Sequence, residues 1–190
     1  MSIVLASGSP RRRELLEMLG VRDFVICPAV GEEKTEEGLS PEEIVCSLSK
    51  AKAEEVRAKF GGRDVIIAAD TIVWNNGRVF GKPKTEREAK LMLSELSGKS
   101  HEVYTGVTVI NGEKTISEAE CTKVHFRELD EAEIDAYILS GEPMDKAGAY
   151  GIQGKASLFV EGIEGDYFNV MGFPLCRLGK MLKTIGVRLL

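Results

Sequence analysis

Arg11, Arg12 and Arg13 occupy what should be the first turn of a helix, directly after the short Ser7-Gly-Ser-Pro10 turn. A helix N-terminus carries partial positive charge and favours anions. Three cations gathered there repel the dipole and one another unless an anion sits among them. A strand, a Ser/Gly turn and an arginine-loaded helix start together form a phosphate-binding arrangement. Two more charges stand in apolar surroundings. Lys52 falls on the stripe marked by Val45, Leu48, Val56 and Phe60, where a lysine either snorkels past the core or reaches into a cleft. Asp70 interrupts Val65-Ile-Ile-Ala-Ala-Asp-Thr-Ile-Val-Trp74, the most apolar stretch of the chain. An ionised carboxylate buried there is unfavourable unless it is paired, hydrogen-bonded or bound to a cation. Taken singly, Asp70 can be a structural carboxylate, and Lys82, held on a stiff turn between Gly81 and Pro83, an ordinary surface lysine. Together, the basic groups at 11–13, 52 and 82 and one awkward carboxylate suit a polyphosphate carried with Mg²⁺, which takes one or two carboxylates plus phosphate oxygens and waters.

The elements that must position these groups read as interleaved strands and helices. Ile3 to Ala6 is a short buried strand; Ser9 is the expected N-cap, Pro10 the first helical residue and Gly20 the stop of the first helix. A second strand covers Phe24 to Cys27. Ser40 with Glu43 forms a capping box that opens a helix reaching about Phe60. The strand from Val65 runs to Trp74, with Asn75-Asn-Gly77 as a hairpin turn and Arg78 to Lys82 as the return. Thr85 with Glu88 is read as a second capping box, for a helix ending near Gly98. Strands follow over Val103 to Ile110 and Cys121 to Phe126, with Asn111-Gly112 as the turn after the first. Asp130 with Glu133 caps a third helix, ending at Gly141. The Gly-rich run Asp145 to Gly154 has no Walker-type pattern and reads as a flexible loop. Leu158 to Ile163 and Tyr167 to Val170 read as paired strands around Glu164-Gly165, and Pro174 opens a C-terminal helix. Frequent hairpins among α/β alternation predict a mixed sheet.

At 190 residues, with 43% apolar and 29% charged residues, the chain suits one globular domain or two lobes of one fold. A net charge of −5 disfavours a broad nucleic-acid surface but permits a local basic pocket. Cys27, Cys46, Cys121 and Cys176 are far apart and only two histidines, His101 and His125, are present, so a structural zinc site is not expected; buried free thiols in a reducing cytoplasm are. No apolar run approaches a membrane span, and the N-terminus does not read as a signal peptide.

Ser7-Gly-Ser-Pro-Arg-Arg-Arg-Glu-Leu-Leu16, Ala69-Asp-Thr-Ile-Val73, Gly81-Lys-Pro83, Leu96-Ser-Gly-Lys-Ser-His101, Asp145-Lys-Ala-Gly-Ala-Tyr-Gly-Ile-Gln-Gly154 and Gly165-Asp-Tyr-Phe-Asn-Val-Met-Gly-Phe-Pro174 occur in this order along nearly the whole chain. In them the sequence resembles the Maf family of nucleotide pyrophosphatases, first named as septum-formation inhibitors. The resemblance implies one domain over 1–190, with a mixed twisted sheet flanked by helices in two lobes around a deep cleft, similar to the inosine-triphosphate pyrophosphatases. It implies hydrolysis of a nucleoside triphosphate to the monophosphate and pyrophosphate with a divalent cation (Mg²⁺, Mn²⁺ or Co²⁺). By the same resemblance Asp70 is the proton acceptor and a metal ligand, Glu33 is a second metal ligand, and Ser7, Arg12, Lys52 and Lys82 hold phosphates; Lys82 and Glu33 are added by resemblance alone. The subgroup preferring dTTP and UTP has Arg, Thr and Gln at three positions, matched here by Arg11, Thr71 and Gln153. A Gln amide pairs with the donor–acceptor edge of uracil or thymine. In the subgroup directed at 7-methyl-GTP those positions resemble Trp, Gln and Glu. The alternatives are that enzyme and a nucleotide-binding regulator of septum formation. Arg12 shares the face of Leu15, Leu16 and Leu19 and is expected to point at phosphate, whereas Arg13 is expected to be solvated. The implied setting is cytoplasmic, with the nucleotide as partner, no nucleic acid or membrane, and a homodimer as the family expectation.

Overall fold

The protein is described by a computed structural model over residues 2–31, 38–60 and 62–190. Strand β1 is Ile3–Leu5, helix α1 Pro10–Met18, strand β2 Phe24–Ile26 and helix α2 Pro41–Arg57. Strands β3 (Val65–Asn75) and β4 (Arg78–Phe80) precede helix α3 (Glu86–Leu96). Strands β5 (Ser100–Asn111) and β6 (Lys114–Phe126) lead to helix α4 (Glu131–Leu139). Single 3₁₀ turns at Glu142–Asp145, Ala147–Ala149 and Gly154–Leu158 lead to strand β7 (Val160–Glu164), short helix α5 (Tyr167–Val170) and helix α6 (Leu175–Thr184). The strands bond in the order β2-β1-β3-β5-β6-β7, with β4 also on β3. β1 is parallel to both β2 and β3, whereas β3–β4 and β6–β7 are antiparallel, so the sheet is mixed as the hairpin frequency predicts.

The chain forms two compact units, one of residues 1–70, 105–120 and 172–190, the other of 71–104 and 121–171. In the first, Val4 and Ala6 pack with Ile66, Ala68, Ile110 and the α2 residues Ala53 and Val56. In the second, Phe80, Leu93, Leu96, Val124, Phe126, Ile134, Tyr137 and Phe159 share a core.

Local signals explain most element ends. The Ser40 and Asp130 capping boxes form, each with its Glu side chain returning to the cap backbone. The Asn76-Gly77 turn has φ of 50° and 77°, which suits the right-handed twist of the strands it joins. Other expectations are corrected. Thr85 accepts from Glu88 N–H at 3.1 Å, but the Glu88 carboxylate turns to Lys84 N–H at 2.8 Å, so no reciprocal box forms. α2 stops at Arg57, and Phe60 closes a turn beyond it. β6 begins at Lys114 rather than Cys121. Tyr167–Val170 is helical, not the partner of a strand: the Asp166 carboxylate accepts Phe168 N–H at 2.8 Å and starts a turn, and β7 pairs with β6 instead. None of the cysteines is fully buried and none forms a disulfide; Cys121 and Cys176 are exposed.

In the second unit His101 is buried under Phe126 and Tyr150, its Nε2 2.7 Å from the Tyr150 hydroxyl. Burial first, and nearby His125 second, push its pKa down to about 4. The neutral ring is therefore the folded form. Its contribution to stability is complete above the unfolded value near 6.5 and is lost as pH falls from there toward 4. Urea denaturation of wild type against His101→Gln should show an excess slope of up to about 1.4 kcal/mol per pH unit in that window; parallel pH profiles would refute this.

Candidate active site

The first unit brings four of the singled-out residues together at the carboxyl end of β1, where the neighbouring β3 runs on past it. β1 and β3 run parallel with Leu5 opposite Ile67, so Ser7 and Asp70 lie two and three residues beyond one matched pair, in the same direction. The chain leaves β1 through α1 to β2 on one side and returns through α2 to β3 on the other. Such a reversal of strand order opens a crevice at the carboxyl ends, where ligands of α/β sheets bind.

Asp70 shares a strand face with Ile66 and Ala68, the face that packs on Ala53 and Val56 of α2. Lys52, beside Ala53, is thereby delivered to it, and its ammonium donates to Asp70 Oδ1. The Asp70 side chain is 9% exposed and that of Lys52 20%, so the pair is largely withdrawn from water. The charge in an apolar strand and the charge on an apolar helix stripe thus answer one another. The pair sets a carboxyl group in the middle of β3, just beyond the last residue pair with β1, with a cationic partner already in place.

Ser7 is buried and its hydroxyl accepts from Arg12 Nη1 at 3.1 Å and from Ser9 N–H at 3.3 Å. Arg12 Nε donates to the Gly172 carbonyl at 2.8 Å. Ser9 occupies the N-cap without a side-chain cap bond, Pro10 follows, and no acidic residue stands in the first turn of α1. The positive end of the helix therefore has no acidic side chain in its first turn to offset it. Arg12 is anchored by protein oxygens rather than hanging as an unattached hook, and the Gly172 carbonyl is the site group that sequence reasoning did not assign. Its signal was the Gly172-Phe-Pro174 end of the last motif. Arg11 is half-buried, while Arg13 is exposed and pairs with Glu17 at 2.9 Å, as a solvated arginine should.

Glu33 lies outside the described residues. The segment leading to it is tied to α2: Val30 and Gly31 N–H groups donate to the Glu55 carboxylate at 3.0 and 2.9 Å. These two bonds, with Lys59, hold the Glu55 pKa down to about 2.

Thr71, Lys82 and Gln153 belong to the second unit. Thr71 is half-buried on β3, and Lys82 is exposed just beyond β4. Gly81, before Lys82, accepts the Gly148 N–H at 3.0 Å. Gly148 has φ of 66°, and a Cβ there would come 2.7 Å from Val73 Cγ2. The Gly-rich run is thus a set of close-packed turns rather than the flexible loop its composition predicts. Gln153 is exposed within it.

Residues 2–185 match the family described as Maf-like protein. The chain is 52% identical to a dTTP/UTP pyrophosphatase of Bacillus cereus (strain AH187), over 97% of this chain and 96% of that protein. It is equally similar, with the same coverage, to a dTTP/UTP pyrophosphatase of Bacillus anthracis (strain CDC 684 / NRRL 3495). Among solved structures, a HAM1 protein from Coxiella burnetii aligns over 97% of this chain and 99% of that one, with a TM-score of 0.52 and 17% identity, a likeness of fold alone. No helix among the described residues is long and apolar enough to cross a membrane.

Proposed function

Since the chain belongs to the Maf family, we propose that it is a hydrolase that converts dTTP and UTP, and modified pyrimidine triphosphates with the same base edge, to the monophosphate and pyrophosphate. The observation that carries this reading is the 52% identity, over 97% of the chain, to relatives named dTTP/UTP pyrophosphatase. The geometry of the first unit is consistent with it. Asp70 takes the proton from the water that attacks the α-phosphorus. Arg12, Lys52 and Lys82 offset the charge that grows on the leaving pyrophosphate, and the Ser7 hydroxyl orients a phosphate oxygen. Lys52 also holds the Asp70 carboxyl group in position before the substrate arrives.

Carboxylate oxygens are the donors a hard divalent cation prefers. Among the described residues no group of three or more His, Cys, Asp or Glu side chains could hold a metal ion by itself. Asp70 and Glu33 would hold such a cation, with phosphate oxygens and waters as its other ligands. When bound, the cation supplies charge neutralisation at the phosphates and a more acidic water. Arg11, Thr71 and Gln153 read the base. Four cysteines that form no disulfide suit a reducing cytoplasm.

Purified protein given dTTP, UTP, dCTP, GTP and 7-methyl-GTP with Mg²⁺, Mn²⁺ or Co²⁺ tests the reading. Pyrophosphate release should be fastest from dTTP and UTP. Fastest release from 7-methyl-GTP would overturn the base assignment. Nucleotide binding with no release from any triphosphate would overturn the enzyme and favour a regulator.

A further inference from the structure

Gln153 stands at the centre of a five-residue stretch whose two ends are tied to the same pair of side chains. Gly151 N–H donates to the Tyr137 hydroxyl at 3.4 Å, and that hydroxyl donates to Glu142 Oε1 at 3.1 Å. Lys155 N–H donates to Glu142 Oε2 at 3.4 Å. Tyr137 is buried, its ring edge-on to Phe159 with centroids 5.1 Å apart. Burial pushes its phenol above the ordinary range, so it remains a protonated donor at neutral pH. Glu142 is fixed in turn: its N–H donates to Ser140 Oγ at 3.3 Å and its carbonyl accepts from Lys146 Nζ at 2.7 Å.

The two glycines on either side of Gln153 allow this close fit. A Cβ on Gly151 would come 2.8 Å from Lys146 Cδ and Cε. Gly154 has φ of +75°, and a Cβ there would come 2.7 Å from Glu142 Oε1. Between them Gln153 is extended, with φ of −87° and ψ of 162°, and exposed. Outside every strand, this stretch takes its shape from the Tyr137–Glu142 pair.

We propose that Tyr137 and Glu142 are positioning residues for base selection, holding the backbone on both sides of Gln153 so that its amide meets the substrate ring at a fixed height and direction. This rests on the reading of Gln153 as a base reader. A glutamine amide turns about its last side-chain bond without moving its backbone, so the brace does not choose which end of the amide leads; it sets the reach of the amide, and guanine presents the same oxygen and ring N–H pair as thymine further out, on a second ring. Holding the backbone on both sides fixes that reach without any contact between the brace and the substrate.

The test uses steady-state kcat and KM for dTTP and dGTP with Tyr137→Phe, Glu142→Gln, Gln153→Ala and the double variant Tyr137→Phe/Gln153→Ala. Phe keeps the buried ring and removes only the hydroxyl. Loss of its hydrogen bonds should raise KM for dTTP about three- to tenfold, with kcat nearly unchanged, and shrink the dTTP-over-dGTP preference by a similar factor. Glu142→Gln keeps an acceptor oxygen and should fall between Tyr137→Phe and wild type; it carries the test if Tyr137→Phe does not fold. In the Gln153→Ala background the hydroxyl deletion should change the preference no further. An unchanged preference in both single brace variants, or an equal loss in the Gln153→Ala background, overturns the proposal and leaves a purely structural pair. If wild type prefers dTTP but Gln153→Ala retains the preference, the base-reader assignment fails and the proposal with it. Failure of wild type to release pyrophosphate is a separate result that overturns the function itself.

Discussion

Asp70→Asn lowers pyrophosphate release from dTTP by about 10²–10⁴-fold, the loss expected when a positioned general base is removed. The substitution keeps the volume and planarity of the side chain and deletes the charge. An amide oxygen has almost no basicity, so the attacking water loses its proton acceptor. A second consequence follows from the partner. Lys52 donates to Asp70 in a pair whose side chains are 20% and 9% exposed, and Asn leaves that ammonium facing a neutral group in a partly dry setting. The ammonium can still reach water, so the stability loss stays well below the 3–5 kcal/mol seen when a fully buried pair is broken. Kinetics therefore separate from folding: a melt within a few degrees of wild type alongside a turnover loss of two or more decades places Asp70 in the chemistry, and a loss that persists at saturating divalent cation marks it as the base rather than only a metal ligand. Near wild-type turnover in Asp70→Asn overturns the assignment. Lys52→Met supplies the complementary measurement, since it leaves the carboxylate unpaired and removes a phosphate ligand, and its loss should also fall in kcat.

Much of this pair was legible before any fold was known. A lysine on an apolar helix stripe and an aspartate inside an apolar strand are local contradictions, and each needs a partner. That they answer each other depends on α2 lying on the β3 face that carries Ile66, Ala68 and Asp70, a non-local fact. The alignment of Ser7 with Asp70 is of the same kind, because it follows from the parallel register of β1 on β3. Capping boxes at Ser40 and Asp130 were legible because the bonds span three residues. Tyr167-Phe-Asn-Val170 misled because aromatic and β-branched residues favour strands, whereas one Asp166 carboxylate bonded to Phe168 N–H decides for a turn of helix. The first half of β6, Lys114 to Glu120, hid behind its polarity. Its two glutamates are occupied by Arg177 of α6, at 2.7 Å each, a partner nearly 60 residues away. The Gly-rich run hid its rigidity for a similar reason: the atoms that fill the space beside Gly148, Gly151 and Gly154 come from Val73, Lys146 and Glu142.

Gly106→Ala should destabilise the protein by about 3 kcal/mol, the upper end of overpacking, and Gly106→Val by more. Gly106 lies inside β5, where an isolated glycine in an apolar strand signals close approach of another backbone. That backbone is α2. A Cβ at position 106 would stand 2.2 Å from the Val45 carbonyl oxygen, 2.4 Å from its carbon and 2.8 Å from Cys46 N. These are main-chain atoms of a helix, so no side-chain rotation relieves the clash; the helix must move as a body or the strand must bend. α2 also carries Lys52, less than two turns beyond Cys46. A displacement large enough to admit a methyl group shifts the ammonium against Asp70, and misplacement by about 1 Å at a reacting centre costs on the order of 10²-fold. The variant should therefore lose stability and kcat together, unlike Asp70→Asn. Gly179→Ala is the matched control: a Cβ there meets nothing within 4 Å, and the position is inside α6. Alanine at 179 should raise stability by about 0.5–1 kcal/mol through helix propensity and leave turnover untouched. Urea midpoints for the two variants, measured beside dTTP turnover, decide the matter, and a Gly106→Ala protein as stable as wild type would show that α2 is not held against β5 at this point.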